Sequence, residues 1–323
     1  MFRKVAFLLL YIDFAFSLVF DSDLVSKALN SDLKPMLSNS ELIMLLGTDK
    51  ITKPQLDLGV KLYFDIRMSN SNVVSCNTCH NLGMGGSIPI SRFNSDSNIN
   101  PPTVYNYIFN SQNINNANKL NNNLKDRIKK SLISSIEMNS SEDELINKIN
   151  SMPDYVVAFK KVYGNNVKID LDIVADALLA FQKVLFTPSR YDDFLNGNIK
   201  ALSKLEQEGL NLFIDKGCVS CHNGVNLGGI SKPYSDLEEF KFINLSDYNG
   251  DFVNIPTLRN ILDTAPYMRN GEHSDLKKVI KNMMVESIPR DIDKIFIFFA
   301  SLSGKKIEII YPTFPAMNVV EEN

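Results

Sequence analysis

Two short stretches, Ser75-Cys-Asn-Thr-Cys-His-Asn-Leu-Gly-Met-Gly-Gly86 and Gly217-Cys-Val-Ser-Cys-His-Asn-Gly224, decide how this chain reads. Each carries Cys-x-x-Cys-His, and together they hold all four cysteines and two of the three histidines. Two thiols one helical turn apart can each bond a haem vinyl group. The adjacent His then lies under the porphyrin as proximal iron ligand, so the pattern is the attachment signature of c-type haem. A zinc site would require the two cysteine pairs to converge, yet they are far apart in the chain and both run directly into His. A redox dithiol would sit in a βαβ context, and none surrounds either motif. Cys76, Cys79 and His80 are therefore expected to hold one covalent haem, and Cys218, Cys221 and His222 a second.

Upstream of each motif lies a degenerate repeat. Gly59-x-x-Leu62-Tyr63-Phe64-Asp65 is echoed by Gly209-x-x-Leu212-Phe213-Ile214-Asp215, and a glycine pair follows each motif, Gly85-Gly86 and Gly228-Gly229. Two related domains meeting near residues 190–200 follow, a number that suits 323 residues. The spacing of apolar residues is helical almost throughout. Asp172 leads into Ile173, Val174, Ala177, Leu178, Phe181, Val184 and Leu185 before Pro188. Ser203 and Glu206 form a capping box, and Pro153 and Pro289 open two further helices, closed by Gly164 and Gly304. Strand-like alternation is scarce, so the expected class is all-α with long loops. The Asn-rich stretch Asn94–Asn123 reads as an irregular inter-helix segment that can bury Tyr105, Tyr107, Ile108 and Phe109.

A net charge of −3 lacks the basic footprint of a nucleic-acid binder or of a polybasic membrane binder, and 44% apolar residues suffice for a real core. Arg3 and Lys4 precede an apolar run from Val5 to Phe20, broken by Asp13, with Ala15 and Ser17 spaced for cleavage. This reads as a signal peptide over residues 1–20 and predicts export to the periplasm. The run is too short and too interrupted for a membrane span.

What completes each iron decides function. For the second haem, Met283 is the best sixth ligand, on a helix begun by Ser274 with Leu276, Val279 and Ile280 on one face. Met284 and Met268 compete with it, His273 lies in a polar turn, and a Met at helical spacing is usually core. For the first haem, residues 83–100 contain Met84 and Arg92 but no histidine, and a protonated Arg cannot ligate iron. The first iron is expected to keep an open position, hence a site for peroxide.

At this point the sequence resembles the bacterial dihaem cytochrome c peroxidases, a family that includes the methylamine-utilisation dihaem protein oxidase. The matching stretches are Leu58-Gly-Val-Lys-Leu-Tyr-Phe-Asp65, the first haem motif, Pro102-Thr-Val-Tyr-Asn106, Ile136-Glu-Met138, the second motif, Ile255-Pro-Thr-Leu-Arg-Asn260 and Thr264-Ala-Pro-Tyr267. The resemblance implies two cytochrome c-like domains, residues 21–195 with the peroxidatic haem and 196–323 with the electron-transfer haem. It implies Met283 as the methionine ligand and Glu137 as the acid that shuttles a proton between the peroxide oxygens, against the alternative of a surface carboxylate. It implies calcium at Asn100, Thr264 and Pro266, which would otherwise be an ordinary loop junction, and a homodimer. Departures are equally informative. The loop after the first motif reads Ile90-Ser-Arg-Phe-Asn94 where many members carry a displaceable His, and Asn115 sits near the family's interhaem tryptophan, of which this chain has none. The resulting expectation is a periplasmic peroxidase reducing hydrogen peroxide to water with electrons from a small cytochrome c or copper protein. A non-enzymatic dihaem electron carrier and a dihaem protein oxidase are the rivals; Met283 speaks against the latter, which uses a tyrosine ligand.

Overall fold

A computed structural model describes residues 23–37, 41, 47, 50–88, 100–110, 117–237, 252–284 and 287–314. The expected leader 1–20, the loop Ile90–Asn94 with Arg92, and Asn115 lie outside them. Helix dominates: α1 (23–30), α2 (Lys53–Phe64), α3 (Cys76–Cys79), α4 (Ala117–Ile133), α5 (Glu142–Asn150), α6 (Pro153–Tyr163), α7 (Leu171–Gln182), α8 (Arg190–Leu195), α9 (Lys204–Asp215), α10 (Leu276–Met283) and α11 (Pro289–Phe299). Among the described residues, one antiparallel pair of strands departs from the all-α expectation. It joins β1 (Ile230–Pro233) to β2 (Phe252–Ile255), pairing Ile230 with Ile255 and Pro233 with Phe252. Among the described residues no helix is long and apolar enough to cross a membrane.

Local chemistry explains most helix ends. Ser203 Oγ accepts from the Glu206 amide while Glu206 Oε2 accepts from the Ser203 amide, the reciprocal cap read from the sequence. Other ends differ. Asp170, not Asp172, caps α7 by accepting from the Ile173 amide, and α7 stops at Gln182, well before Pro188. Asp275 rather than Ser274 caps α10. The Asn-rich stretch is only partly irregular, because α4 already begins at Ala117. Leu124, Ile128 and Leu132 are buried at four-residue spacing and bind that helix to the core despite its polar composition. Tyr105, Ile108 and Phe109 are buried as expected.

The chain divides into two compact units. One comprises Leu37–Phe186, Pro266–Glu272 and Lys306–Asn323; the other comprises Met1–Met36, Thr187–Ala265 and His273–Lys305. The division at 186/187 precedes the junction expected at 195/196, because α8 packs with the second-motif unit: Asp192 accepts from the Met36 amide and Tyr191 lies edge-on to Phe298 at 5.8 Å. Residues 23–36, expected in the first domain, also group with the second-motif unit. Leu24 and Ala28 are buried, and Lys27 reaches Asn211 and Asp215 of α9.

Each unit is organised by a helix crossing at the repeat glycine. A Cβ on Gly59 would stand 2.3 Å from the Ala177 carbonyl oxygen, so α2 and α7 touch backbone to backbone. A Cβ on Gly209 would stand 2.1 Å from the Lys294 carbonyl oxygen, so α9 and α11 do the same. The aromatic four residues on seals each crossing: Tyr63 meets Phe181 at 5.1 Å, and Phe213 meets Phe298 at 5.5 Å. Gly304 was expected to close α11. That helix ends at Phe299 in a 3-10 turn, and Gly304 serves a close approach to the Thr187 carbonyl instead. Gly59→Ala and Gly209→Ala should each destabilise the protein by about 1–3 kcal/mol, the cost of overpacking. A lower denaturant midpoint with unchanged slope is the expected reading; an unmoved midpoint would mean the backbones do not meet there.

Candidate active site

The first motif opens α3 with Ser75 at its N-cap, whose amide donates to Thr78 Oγ1 at 2.9 Å. The His80 amide closes the turn on the Cys76 carbonyl at 2.9 Å, placing the imidazole directly after the two thiols. His80 Nδ1 lies 2.9 Å from the Pro102 carbonyl oxygen. A carbonyl only accepts, so Nδ1 carries the proton and Nε2 keeps its lone pair. Burial pushes the His80 pKa down, against the opposing pull of that hydrogen bond and of Glu137, and so favours the neutral ring. Segment 100–106 that supplies Pro102 is itself laced to the motif: Thr103 Oγ1 donates to Gly85 O, Tyr105 OH to Leu82 O, and Ser87 Oγ to Pro101 O. Tyr63 OH donates to the His80 carbonyl at 2.6 Å.

The second motif is a 3-10 turn, Cys218–Ser220, entered through Gly217 at φ +76°. The His222 amide again bonds the carbonyl of the first cysteine, and His222 Nδ1 lies 3.2 Å from the Leu227 carbonyl oxygen, so this ring has the same tautomer. Burial lowers the His222 pKa as well. The turn 223–227 is held by a buried ion pair. Arg259 donates to both oxygens of Asp192, at 2.9 and 2.7 Å, and through Nε to the Val225 carbonyl at 2.7 Å. Thr257 Oγ1 donates to the Asn226 carbonyl.

These features suit covalent haem. Burial favours the neutral form of each imidazole, and a backbone carbonyl orients each at Nδ1, with the Pro256 carbonyl also bonding the His222 ring. The four cysteines are free and half-buried. Burial raises Cys76 to about 12, Cys79 to about 11 and Cys218 to about 11. Such surroundings tolerate a neutral thioether and oppose the thiolates that zinc requires. Among the described residues no three His, Cys, Asp or Glu side chains gather as a metal site.

Glu137 lies on an exposed turn after α4. That turn is fastened to the segment before the first motif, with the Asn70 amide donating to the Met138 carbonyl and Ser140 Oγ to the Met68 carbonyl. Its carboxylate acts electrostatically on Cys76, Cys79, His80 and Tyr107. Met283 ends α10, half-buried and in the same unit as His222, whereas Met268 belongs to the other unit. Asn100 Nδ2 donates to the Pro266 carbonyl at 2.6 Å, and Asn100 Oδ1 is buried without a partner among the described residues. Thr264 belongs to the other unit. The sequence reading missed the carbonyls of Pro102 and Leu227, which carry no residue-type signal. It also missed Asp192 as the partner of Arg259, although Arg259 stood in a quoted block.

A family profile described as di-haem cytochrome c peroxidase matches residues 53–200. The chain is 34% identical over 300 residues to the cytochrome c551 peroxidase of Pseudomonas aeruginosa, covering 85% of this chain and 86% of that protein. Its identity with the cytochrome c551 peroxidase of Nitrosomonas europaea is 33% over 282 residues, covering 81% and 84%. The crystal structure of a MauG-like protein associated with microbial copper homeostasis shares the fold, with a TM-score of 0.61 at 19% identity over 84% of this chain and 93% of that one. The chain belongs to the di-haem cytochrome c peroxidase family. It is a peroxidase, an oxidoreductase with two haem cofactors.

The ion pair beneath the second motif has a pH signature. Burial opposes ionisation of Asp192, but the Arg259 charge and hydrogen bonds from Arg259, Met36 and Ser189 outweigh it, so its pKa lies below the usual carboxylate value. The pair's stabilisation is therefore complete above about pH 4 and lost as pH falls through the lowered pKa. Asp192→Asn should cost about 3–5 kcal/mol at neutral pH, since it leaves a buried guanidinium uncompensated. The gap from the unsubstituted protein, followed by unfolding at a series of pH values, should narrow in acid; a constant gap would contradict this account.

Proposed function

We propose that the chain works in the periplasm, reducing hydrogen peroxide to water at its first haem motif with electrons that a small redox protein delivers to its second. The observation that carries this assignment is the placement of Glu137, on a turn bound to the segment before the first motif by the Asn70 amide on the Met138 carbonyl and by Ser140 Oγ on the Met68 carbonyl. From there its charge bears on Cys76, Cys79 and His80. Bound haem supplies an iron that accepts electrons and binds peroxide. The chain does the rest. Cys76 and Cys79 tether the group, and His80 offers Nε2 with its ring fixed by Pro102. Glu137 takes a proton from one peroxide oxygen and returns it to the other.

In the second unit, a cytochrome c-like domain on this reading, Cys218, Cys221 and His222 play the corresponding parts, and the Met283 thioether completes the coordination, suiting a site that receives electrons. The unit assignment supports Met283 over Met268. The donor is a small cytochrome c or copper protein, and the family resemblance supports a homodimer. The basic, then apolar, N-terminal sequence supports export by a signal peptide. The calcium expected from the family resemblance is supported at Asn100 and Pro266, because an amide oxygen buried without a partner among the described residues, on a side chain that bonds a backbone carbonyl, suits a hard cation.

Glu137→Gln should lower peroxide turnover by about 10²–10⁴-fold while both haems stay attached and the unfolding midpoint barely moves. Unchanged turnover would remove Glu137 from the mechanism. Added calcium should raise the Tm of the dihaem protein and leave Asn100→Ala unmoved, as ligand binding to the folded state requires; an equal rise in both would put the ion elsewhere.

A further inference from the structure

On the helix that precedes Glu137 stands a cation that no step above uses. Arg127 projects from the last turns of α4, and its guanidinium lies 5.3 Å from the centre of the Tyr107 ring, a cation–π distance. Tyr107 is in turn tied to the motif. It follows the segment whose Pro102 carbonyl orients His80 and whose Tyr105 hydroxyl grips Leu82. Burial raises the Tyr107 pKa, the neighbouring Arg127 holds that rise back, and the Glu137 carboxylate adds to it. Arg127 and Glu137 thus both act on Tyr107, and the charge of Glu137 also bears on Cys76, Cys79 and His80.

The neighbours of Arg127 are occupied. Lys125 pairs with Asp172, and Lys129 with Asp126 and Asp172. Among the described residues, no carboxylate lies within ion-pair distance of Arg127, which meets Tyr107 at its ring and by a side-chain hydrogen bond that leaves the other guanidinium N–H groups unspent. A planar guanidinium on a ring keeps its N–H groups available at the ring's edge for an anionic acceptor.

We propose that Arg127, seated on Tyr107, is the cation that stabilises negative charge on an oxygen or other anionic ligand bound at the first haem. In the peroxidase reaction it would lower the cost of the peroxide anion formed when Glu137 takes its proton, and of charge developing on the departing oxygen. Charge-assisted hydrogen bonds aimed at developing charge are the usual large electrostatic contribution to such steps. The inference rests on the reading of the first motif as the peroxide site, and the test separates the two.

Fluoride, a small anion that prizes hydrogen-bond donors, is titrated into the oxidised dihaem protein and followed by the absorption of the first haem. Arg127→Gln should weaken fluoride at least about tenfold. Arg127→Lys, which keeps the charge and loses the fork, should fall between the two. Tyr107→Leu, which removes only the seat, should weaken binding about threefold. Spectra of the second haem should not change in any variant. Fluoride that binds the unsubstituted protein and Arg127→Gln within about twofold of each other overturns the role of Arg127 and leaves the peroxide site standing. Fluoride that does not bind the unsubstituted protein overturns both.

Discussion

Two helices meeting backbone to backbone at a glycine are the constraint on which each unit depends. With Gly59 against Ala177 and Gly209 against Lys294, no side chain separates the helix axes. Aromatic residues one turn on therefore reach across the seam, Tyr63 to Phe181 and Phe213 to Phe298. The haem motif follows each of these helices, so the crossing sets where the chain leaves the core and where Cys-x-x-Cys-His is presented. The longer spacer in the first copy is itself pinned. Asp65 is buried, pairs with Arg67 at 2.6 Å and accepts from Tyr155 OH at 2.8 Å, and burial notwithstanding, those bonds hold its pKa below the usual value. The matching Asp215 is exposed, pairs with Lys27 and accepts from Asn211 Nδ2. One repeat position thus does structural work in one copy and surface work in the other.

Residue types that carry their own chemistry were legible in the sequence, and so were patterns confined to one element. Cys-x-x-Cys-His, the Ser203–Glu206 cap and the repeat glycines belong to that class. Caps one or two residues away were misplaced because Asp170 and Asp172, or Ser274 and Asp275, are equally good acceptors, and only the backbone path chooses between them. The start of α4 was hidden because Asn opposes helix locally, while the buried stripe of Leu124, Ile128 and Leu132 that overrides it lies later in the helix. The unit boundary was hidden for a different reason. Asp192 is an ordinary acid in a helix-opening sequence until Arg259, 67 residues on, binds it and draws α8 and Met36 to the second motif. The carbonyls that orient both imidazoles lie beyond any reading of side chains.

The two haem motifs are copies in sequence and unlike in support. His222 is steadied through its ring by Leu227, on a turn that Arg259 and Thr257 hold from beneath. His80 is held at the ring by Pro102 and at its own carbonyl by Tyr63, where the repeat places Phe213 in the other copy and no hydroxyl exists to donate. The first motif also begins in a capped helical turn, the second in a left-handed glycine without a side-chain cap. His80 is thus restrained both at its ring nitrogen and at its own backbone carbonyl, and would hold a bound haem from a fixed position. The capped helical turn, the Tyr63 hydroxyl and the charge of Glu137 all bear on the first motif and have no counterpart among the described residues at the second. That difference in backbone support and neighbouring charge, rather than any single residue, is what separates the two halves of the repeat.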